Sequence, residues 1–180
     1  MKNILITGGS RGIGKEIVKI CHKNNFKVHF TYSNNLVSAK KLLDELNSEN
    51  ISFSQCNLNN YDDIKKLFVN IKERFDFLDG LVNNAGISGG IVSIKDFSKK
   101  IIDEVFEINV KGLIHCCKES MPMMSKNKGA RGGSIVNISS MASTIGGRDG
   151  RTLYAASKGA IDVFTVGAAK ELAQDGIRVN

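Results

Sequence analysis

The chain has 180 residues, of which 42% are hydrophobic and 24% are charged, and its formal net charge is +7. This length suits one domain with a sizeable core, and the composition is ordinary for a soluble globular protein. The basic residues are scattered among acidic and amide residues without forming a stripe, so we expect no nucleic-acid partner. The N-terminus enters a strand at once and no apolar run has membrane-spanning length, so we expect a cytoplasmic protein without a membrane partner.

The four cysteines, Cys21, Cys56, Cys116 and Cys117, lack the spacing of metal ligands. Cys116 and Cys117 lie in an apolar helical run, which predicts small buried hydrophobic side chains in a reducing compartment. The three histidines are spread along the chain, away from any pair of carboxylates. We therefore predict no metal site.

Strand-length apolar runs alternate with longer amphipathic patterns along the chain. The predicted strands are Asn3–Thr7, Lys27–Tyr32, Ile51–Cys56, a fourth within "LDGLVNNAG", Gly133–Ser139 and a sixth that begins in "GIRVN". The predicted helices are Ile13–Asn24, Ser38–Asn50, Asp62–Phe75 and two longer ones, about Lys99–Met124 and about Leu153–Ala173. This alternation predicts a doubly wound parallel sheet with helices on both faces, a three-layer α/β/α Rossmann fold.

A glycine-rich loop, "TGGSRGIG", joins the first strand to the first helix. Gly8, Gly12 and Gly14 permit a tight turn and a close backbone approach, and they leave N–H groups at a helix N-terminus for a pyrophosphate. The alternative is an ordinary glycine-rich turn. The strand–loop–helix context favours dinucleotide binding, so residues 1–180 are predicted to form a single NAD(P)-binding domain.

The second strand predicts which dinucleotide is bound. NAD-binding folds usually place an acid about 20 residues beyond the loop, on the ribose 2′-hydroxyl. Here the second strand ends in "TYSNN", which has no acid, and Arg11 lies inside the loop. A guanidinium without a competing acid favours a 2′-phosphate, with Ser33 and Asn34 as neutral donors, so we predict NADP(H) over NAD(H). The alternative is that Arg11 simply faces solvent.

Four further motifs follow the glycine loop in order: "NNAG" (83–86), "INVKG" (108–112), "IVNISS" (135–140) and "YAASK" (154–158). Together with the glycine loop they resemble the short-chain dehydrogenase/reductase family, in its compact single-domain branch. The resemblance covers the whole chain. It is similar to 3-oxoacyl-[acyl-carrier-protein] reductases and to sugar and other alcohol dehydrogenases of that branch.

The resemblance implies four catalytic residues. Tyr154 would donate a proton to a carbonyl oxygen, or act as the base in alcohol oxidation. Lys158 would hold the nicotinamide ribose and favour the ionised phenol, because i and i+4 residues share a helix face. Ser140 would hydrogen-bond the carbonyl, since the second serine of "ISS" matches the family position better than Ser139 does. Asn109 would anchor a water in a proton relay.

The resemblance also implies the residues that contact the cofactor. They are Gly8, Ser10, Arg11, Gly12, Ile13, Gly14, Tyr32, Ser33, Asn57, Leu58, Asn84, Ala85, Gly86, Tyr154 and Lys158. Asn57 departs from the family pattern, in which an Asp often follows the third strand. An Asn carbonyl can still accept a hydrogen bond from the adenine amino group.

Asn109 can be placed by periodicity alone. Val105, Phe106 and Leu113 lie three or four residues away from it, so Asn109 is predicted on the apolar face of its helix. A buried amide has to be hydrogen-bonded. Two roles stay open, the catalytic relay and a purely structural network.

Family members continue past "IRVN" with Pro-Gly, a helical lid over the substrate and a seventh strand, whereas this sequence ends at Asn180. Two hypotheses follow. The chain is an oxidoreductase, here as a fragment or the product of an incomplete gene, acting on a 3-oxoacyl thioester or a similar small ketone. Alternatively, it is a weak or inactive remnant that only binds NADP(H) or dimerises. The resemblance implies a homodimer or homotetramer through the two long helices.

Overall fold

A computed structural model describes all 180 residues and contains one six-stranded, fully parallel sheet. The strands are β1 (Asn3–Ile6), β2 (Lys27–Tyr32), β3 (Ile51–Gln55), β4 (Gly80–Asn83), β5 (Gly133–Asn137) and β6 (Ile177–Val179). Their order across the sheet is β3-β2-β1-β4-β5-β6. This order is that of a Rossmann fold, and the predicted fold class is confirmed.

Seven α-helices connect the strands. They are α1 (Gly12–Lys23), α2 (Leu36–Leu46), α3 (Tyr61–Arg74), α4 (Lys99–Phe106), α5 (Leu113–Met124), α6 (Ala142–Ile145) and α7 (Thr152–Glu171). None of them combines the length and the apolar character needed to cross a bilayer. The predicted boundaries were wrong by a few residues where caps decide them. The α2 helix begins early because Asn35 Oδ1 accepts from Ser38 N at 2.9 Å, and it ends early because Asn47 turns into the left-handed region.

The predicted long helix Lys99–Met124 is not a regular helix. A six-residue π-helical segment, Glu107–Gly112, separates α4 from α5. The apolar spacing around Asn109 did not predict this π-helical segment. A single wider turn in a helix still leaves residues four apart near the same side of the helix. Asn109 lies in the middle of this segment and is 1% exposed, so its predicted burial is confirmed.

The core lies on both faces of the sheet. On one face α3, α5 and α7 pack against strand residues such as Leu5, Leu81 and Ile135. On the other face α1 and α2 cover β1, β2 and β3, around the fully buried Phe30. Both Cys116 and Cys117 are buried in the first cluster, as predicted.

The topology determines where a ligand can lie. The chain moves outward from β1 in one direction to β2 and β3, and in the other direction to β4, β5 and β6. The crevice at this switch point lies beyond the carboxyl ends of β1 and β4, where parallel α/β sheets bind their ligands. The loops after β1, β4 and β5, together with the first turn of α1, carry most of the predicted site residues.

Candidate active site

The glycine loop is held by hydrogen bonds from its own backbone. Gly8 has a φ of 65°, and its N–H donates to Thr31 Oγ1 at 3.1 Å. The N–H of Gly9 donates to the Thr31 carbonyl at 2.9 Å, which ties the loop to the end of β2. Gly12, with a φ of 55°, has no atom within 4 Å of where a Cβ would stand. The loop is therefore rigid at its base and open on the side that faces the crevice.

Asn84 fastens the glycine loop to the end of β4. Its Nδ2 donates to the carbonyls of Thr7 and Gly8 at 2.9 and 3.0 Å. A Cβ on Gly14 would lie 2.3 Å from the Gly8 oxygen and 2.4 Å from Asn84 Nδ2. Only glycine fits at position 14, because the helix start, the loop and the Asn84 amide meet there. The Asn84 side chain thus shapes the crevice rather than pointing freely into it.

The crevice beside this loop, which we name the glycine-loop cleft, has a volume of about 510 Å³. Its lining includes these predicted cofactor residues: Gly8, Ser10, Arg11, Gly12, Ile13, Tyr32, Ser33, Asn57, Leu58, Asn84, Ala85 and Gly86. Sequence reasoning did not name Thr31, Asn35, Cys56, Ile87 and Ile108, which also line it. The only features that could have predicted these residues are their positions at strand ends and, for Asn35, its role as the N-cap of α2.

Charge in the glycine-loop cleft has one sign. Arg11 is the one ionised side chain in its lining, and it forms no ion pair. Three predicted residues lie outside the lining: Gly14 is packed behind the loop, whereas Tyr154 and Lys158 stand further along the crevice. The cleft therefore offers the uncapped N–H groups at the start of α1 and a single cation to an anionic ligand.

Asn109 links the segment after β4 to α7. Its Oδ1 accepts from Ile87 N at 2.8 Å, and its Nδ2 donates to Ile87 O at 2.8 Å and to Ser157 Oγ at 3.0 Å. Ser157 in turn donates to the Tyr154 carbonyl at 2.7 Å. This network is buried and holds the first turn of α7 against the π-helical segment.

Lys158 lies beside this network and is only 4% exposed. Its Nζ donates to Ile138 O at 2.6 Å and stands 5.8 Å from the centre of the Tyr154 ring. Burial lowers the pKa of Lys158 below its ordinary value of 10.5, and the Asp162 carboxylate opposes this effect in part. A cation of this kind favours an ionised phenol nearby.

A second cleft, the Ser140–Tyr154 cleft, contains Ser140, Met141, Ala142, Ile145, Arg148, Arg151 and Tyr154 and has a volume of about 520 Å³. Ser140 Oγ also accepts from Ala142 N at 3.1 Å, so it stands in a turn. The neighbouring Ser139 hydroxyl is buried without a partner and does not line this cleft. The structure thus places Ser140 and Tyr154 in one cleft, while the assignment of their roles stays a prediction.

The residues present fit a nicotinamide dinucleotide. A Cβ on Gly8 would lie 2.9 Å from Ala85 Cα, and one on Gly86 would lie 3.1 Å from Asn109 Oδ1 and 3.8 Å from Lys158 Nζ. Gly8 packs closely on Ala85, the glycine-loop cleft continues along Ala85 and Gly86, and the absent side chain of Gly86 leaves its backbone near the Lys158 ammonium. A pyrophosphate fits at the loop and a ribose fits near the ammonium.

Comparisons with known proteins agree with this geometry. The family model of the short-chain dehydrogenases matches residues 2–180. The chain is 35% identical to the uncharacterized oxidoreductase YgfF of Escherichia coli over 98% of this chain and 72% of that protein. It is 39% identical to (+)-borneol dehydrogenase 2 of Salvia officinalis, over 98% and 61% of the two chains. It is 33% identical to the 3-oxoacyl-[acyl-carrier-protein] reductase FabG of Staphylococcus aureus, over 99% and 72%.

Solved structures give the same result. A short-chain dehydrogenase of Burkholderia cenocepacia in complex with NADP superposes with a TM-score of 0.91 at 31% identity, over 99% of this chain and 71% of that one. The NADH-dependent reductase A1-R′, complexed with NAD, superposes with a TM-score of 0.89 at 27% identity, over 98% and 75%. Of these two structures with a similar fold, one is a complex with NADP and the other a complex with NAD.

Proposed function

The chain belongs to the short-chain dehydrogenase family, and we propose that it is an NADP(H)-dependent oxidoreductase that interconverts a carbonyl and a secondary alcohol. One observation carries this proposal: Tyr154 shares a cleft with Ser140, and the buried Lys158 ammonium lies 5.8 Å from the Tyr154 ring centre and 3.8 Å from the Cβ position of Gly86, which lines the glycine-loop cleft. An acid, its neighbouring cation and a dinucleotide path meet at the same edge of the sheet.

The cofactor side is held mainly by backbone. The uncapped N–H groups at the start of α1 would bind the pyrophosphate, and Lys158 would donate to the nicotinamide ribose hydroxyls. Tyr32, Ser33, Asn57 and Leu58 would line the adenosine end. The bound nicotinamide supplies or accepts the hydride, so the protein itself needs no redox group.

The chain's own side chains would handle the proton. In reduction the carbonyl carbon gains a hydride, and its oxygen takes the Tyr154 phenol proton, which leaves a secondary alcohol. Ser140 would donate a hydrogen bond that fixes the carbonyl oxygen beside the phenol. The Lys158 cation would stabilise the resulting phenolate until it is reprotonated. Asn109 holds the first turn of α7 in place, and we retain its relay role as part of the proposal.

Arg11 supports NADP(H) over NAD(H). No carboxylate lines the glycine-loop cleft to accept a ribose 2′-hydroxyl, while the Arg11 guanidinium lines it without an ion pair. A 2′-phosphate would find a bidentate donor there, with Ser33 as a neutral neighbour. A small ketone or a 3-oxoacyl thioester is the proposed substrate class, in keeping with the similarity to FabG.

The test is oxidation of NADPH by the purified chain with a panel of small ketones and a 3-oxoacyl thioester. Tyr154→Phe should lower kcat by about 10²- to 10⁴-fold and leave NADPH affinity nearly as it is, because only the acid proton is removed. Tyr61→Phe is the matched control, since Tyr61 bonds Glu119 and Lys118 outside both clefts. NADPH binding without turnover in the wild type would favour the alternative of a binding remnant.

We also propose a cytoplasmic homodimer or homotetramer of this single NAD(P)-binding domain. On α7 the side chains of Val163 and Val166 are 75% and 56% exposed, and Gly167 has open space beside it. On α4, Ile102 is 37% exposed. An apolar helix surface of this kind suits a second copy of the chain. Light scattering of the wild type and of Val163→Glu would test it, with a loss of mass expected for the variant.

A further inference from the structure

The Ser140–Tyr154 cleft has a charge of its own. Arg148 and Arg151 both line it, no acidic side chain does, and Asp149 between them is not part of the lining. Neither guanidinium is paired with a carboxylate. Two unpaired guanidinium groups beside an acid–base side chain form a site for an anion, because such groups bind carboxylate or phosphate oxygens bidentately.

The loop that carries the two arginines is anchored at both ends. Arg151 N donates to Arg148 O at 2.9 Å, so a single turn brings the two residues together. Gly150 has a φ of 72°, and its carbonyl accepts from Val92 N at 3.0 Å. A Cβ at this position would lie 2.5 Å from Ile91 Cγ2. The loop is therefore docked on the segment after β4.

The start of α7 adds to the positive potential. This helix has 20 residues, Arg151 precedes it, and no side chain caps its N-terminus. Tyr154 is in its first turn, so the positive end of the helix dipole faces the same region as the two guanidinium groups. An anion here would be favoured by two full charges and one partial charge.

Part of the wall is apolar, while Ser88 and Ser140 add neutral hydroxyl groups to the lining. Met141 and Ile145 line the cleft with 75% and 61% of their surface exposed, and Ala142 lies between them. We propose that the substrate is a small aliphatic ketone or secondary alcohol with a carboxylate or phosphate group. The anion would lie on Arg148 and Arg151 while the carbonyl lies at Tyr154. This inference rests on the proposed function and adds the class of substrate.

The experiment compares each anionic substrate with its neutral counterpart, using the purified chain and NADPH. The pairs are acetoacetate with methyl acetoacetate and dihydroxyacetone phosphate with dihydroxyacetone. We expect the anion to have a kcat/KM about tenfold or more above that of its partner. Arg148→Gln and Arg151→Gln should each lower that ratio about tenfold, mainly through KM. The pair with the larger ratio shows whether a carboxylate or a phosphate is bound.

Two variants control for structure and for charge. Arg151→Lys keeps the positive charge and should retain part of the preference for the anionic substrate. If Arg151 had only a structural role, this preference would not depend on whether the substituted residue is charged. Arg178→Gln removes an exposed guanidinium on β6, away from this cleft, and should leave the ratio as in the wild type. A ratio near one in the wild type, or one unchanged in both glutamine variants, overturns the anion site and leaves the reductase standing.

A separate measurement covers the case in which no ketone is reduced, which would refute the proposed function. Calorimetric titrations of acetoacetate and of dihydroxyacetone phosphate into the NADPH-bound chain then decide the anion site. Binding of either anion that is lost in Arg148→Gln and kept in Arg178→Gln supports it. No binding of either anion in the wild type, or equal binding in all variants, overturns it.

Discussion

The glycine-loop cleft and the Ser140–Tyr154 cleft lie at the same edge of the sheet, yet they are built from different groups. The first is bounded by strand ends and by backbone, with Gly8 and Gly12 in conformations that other residues rarely adopt. The second is bounded by loops and side chains, and Met141 and Ile145 stay largely exposed in it. In both clefts the charged lining residues are arginines, Arg11 in the first cleft and Arg148 and Arg151 in the second.

This difference has a physical reason. A cofactor shared by a whole family can be bound by groups that every chain has, namely N–H donors and the space that glycine leaves. A substrate has to be distinguished from its relatives, and only side chains differ enough to do this. The two clefts should therefore respond to mutation in different ways.

The largest effect is expected at Lys158, which stands between the clefts. Lys158→Met should lower kcat/KM by about 10²- to 10⁴-fold and raise the KM for NADPH, because it removes the cation beside both the phenol and the ribose. Lys170→Met, at an exposed site on the same helix, is the matched control.

The pH profile sharpens this prediction. Since burial lowers the pKa of Lys158, its ammonium loses its charge at a pH below the ordinary value of 10.5 as pH rises. The wild-type profile of kcat/KM should therefore have an alkaline limb below pH 10.5, and Lys158→Met should move this limb to higher pH, because no cation then favours the ionised Tyr154 phenol. The same limb in both proteins would refute the assignment.

The next effect concerns the sheet under the glycine-loop cleft. His29 on β2 is 6% exposed, with its ring nitrogens 2.8 and 2.9 Å from Ser52 and Ser54 hydroxyls. Burial lowers the pKa of His29 from 6.5 to about 4, with a smaller effect of Arg74. The folded state holds His29 neutral. The contribution of neutral His29 to the free energy of unfolding is therefore fully present above pH 6.5 and is lost as pH falls toward 4.

The size of this loss follows from linkage. At about 1.4 kcal/mol for each pH unit between 6.5 and 4, protonation of His29 removes up to about 3 kcal/mol of the free energy of unfolding. Urea titrations at several pH values measure it. His29→Gln should flatten this part of the profile, and an equally steep profile in the variant would show that other groups are responsible.

A smaller effect is expected at the glycine loop. Gly14→Ala forces a methyl group against the Gly8 carbonyl and the Asn84 amide, which should cost about 1–3 kcal/mol of stability. It should also weaken NADPH binding about tenfold, because the loop has to shift. Thermal unfolding and fluorescence titration measure the two. Gly167→Ala is the control, since its added methyl meets no atom of this chain, and unchanged NADPH affinity in Gly14→Ala would contradict the prediction.

The smallest effect is expected at Arg11. Arg11→Gln should lower the preference for NADPH over NADH about tenfold, because one bidentate partner of the 2′-phosphate is lost. NADH kinetics should change little, so the ratio of the two kcat/KM values is the measurement. Arg178→Gln controls for net charge. An equal loss with both cofactors would mean that Arg11 does not read the 2′-phosphate.

Much of the fold and part of the site were predictable from sequence because they depend on local rules. The alternation of apolar runs predicted the six parallel strands, and "TGGSRGIG" predicted the glycine loop between β1 and α1. The spacing of apolar residues around Asn109 was enough to predict that it is buried. Glycine conformations and helix faces are set within a few residues, so the sequence carries them directly.

Other features were decided only when distant segments met. The hydrogen bonds of Asn109 to Ile87 and Ser157, the bond between Gly150 and Val92, and the cleft that Ser88 shares with Ser140 join residues far apart in the chain. Their positions depend on how α7 and the loops after β4 and β5 pack on a common sheet, which no local pattern encodes. Local patterns in the sequence were enough to identify the family, the fold class and the glycine loop. Which side chains line the Ser140–Tyr154 cleft was decided by tertiary structure, because a cleft exists only where separate loops come together.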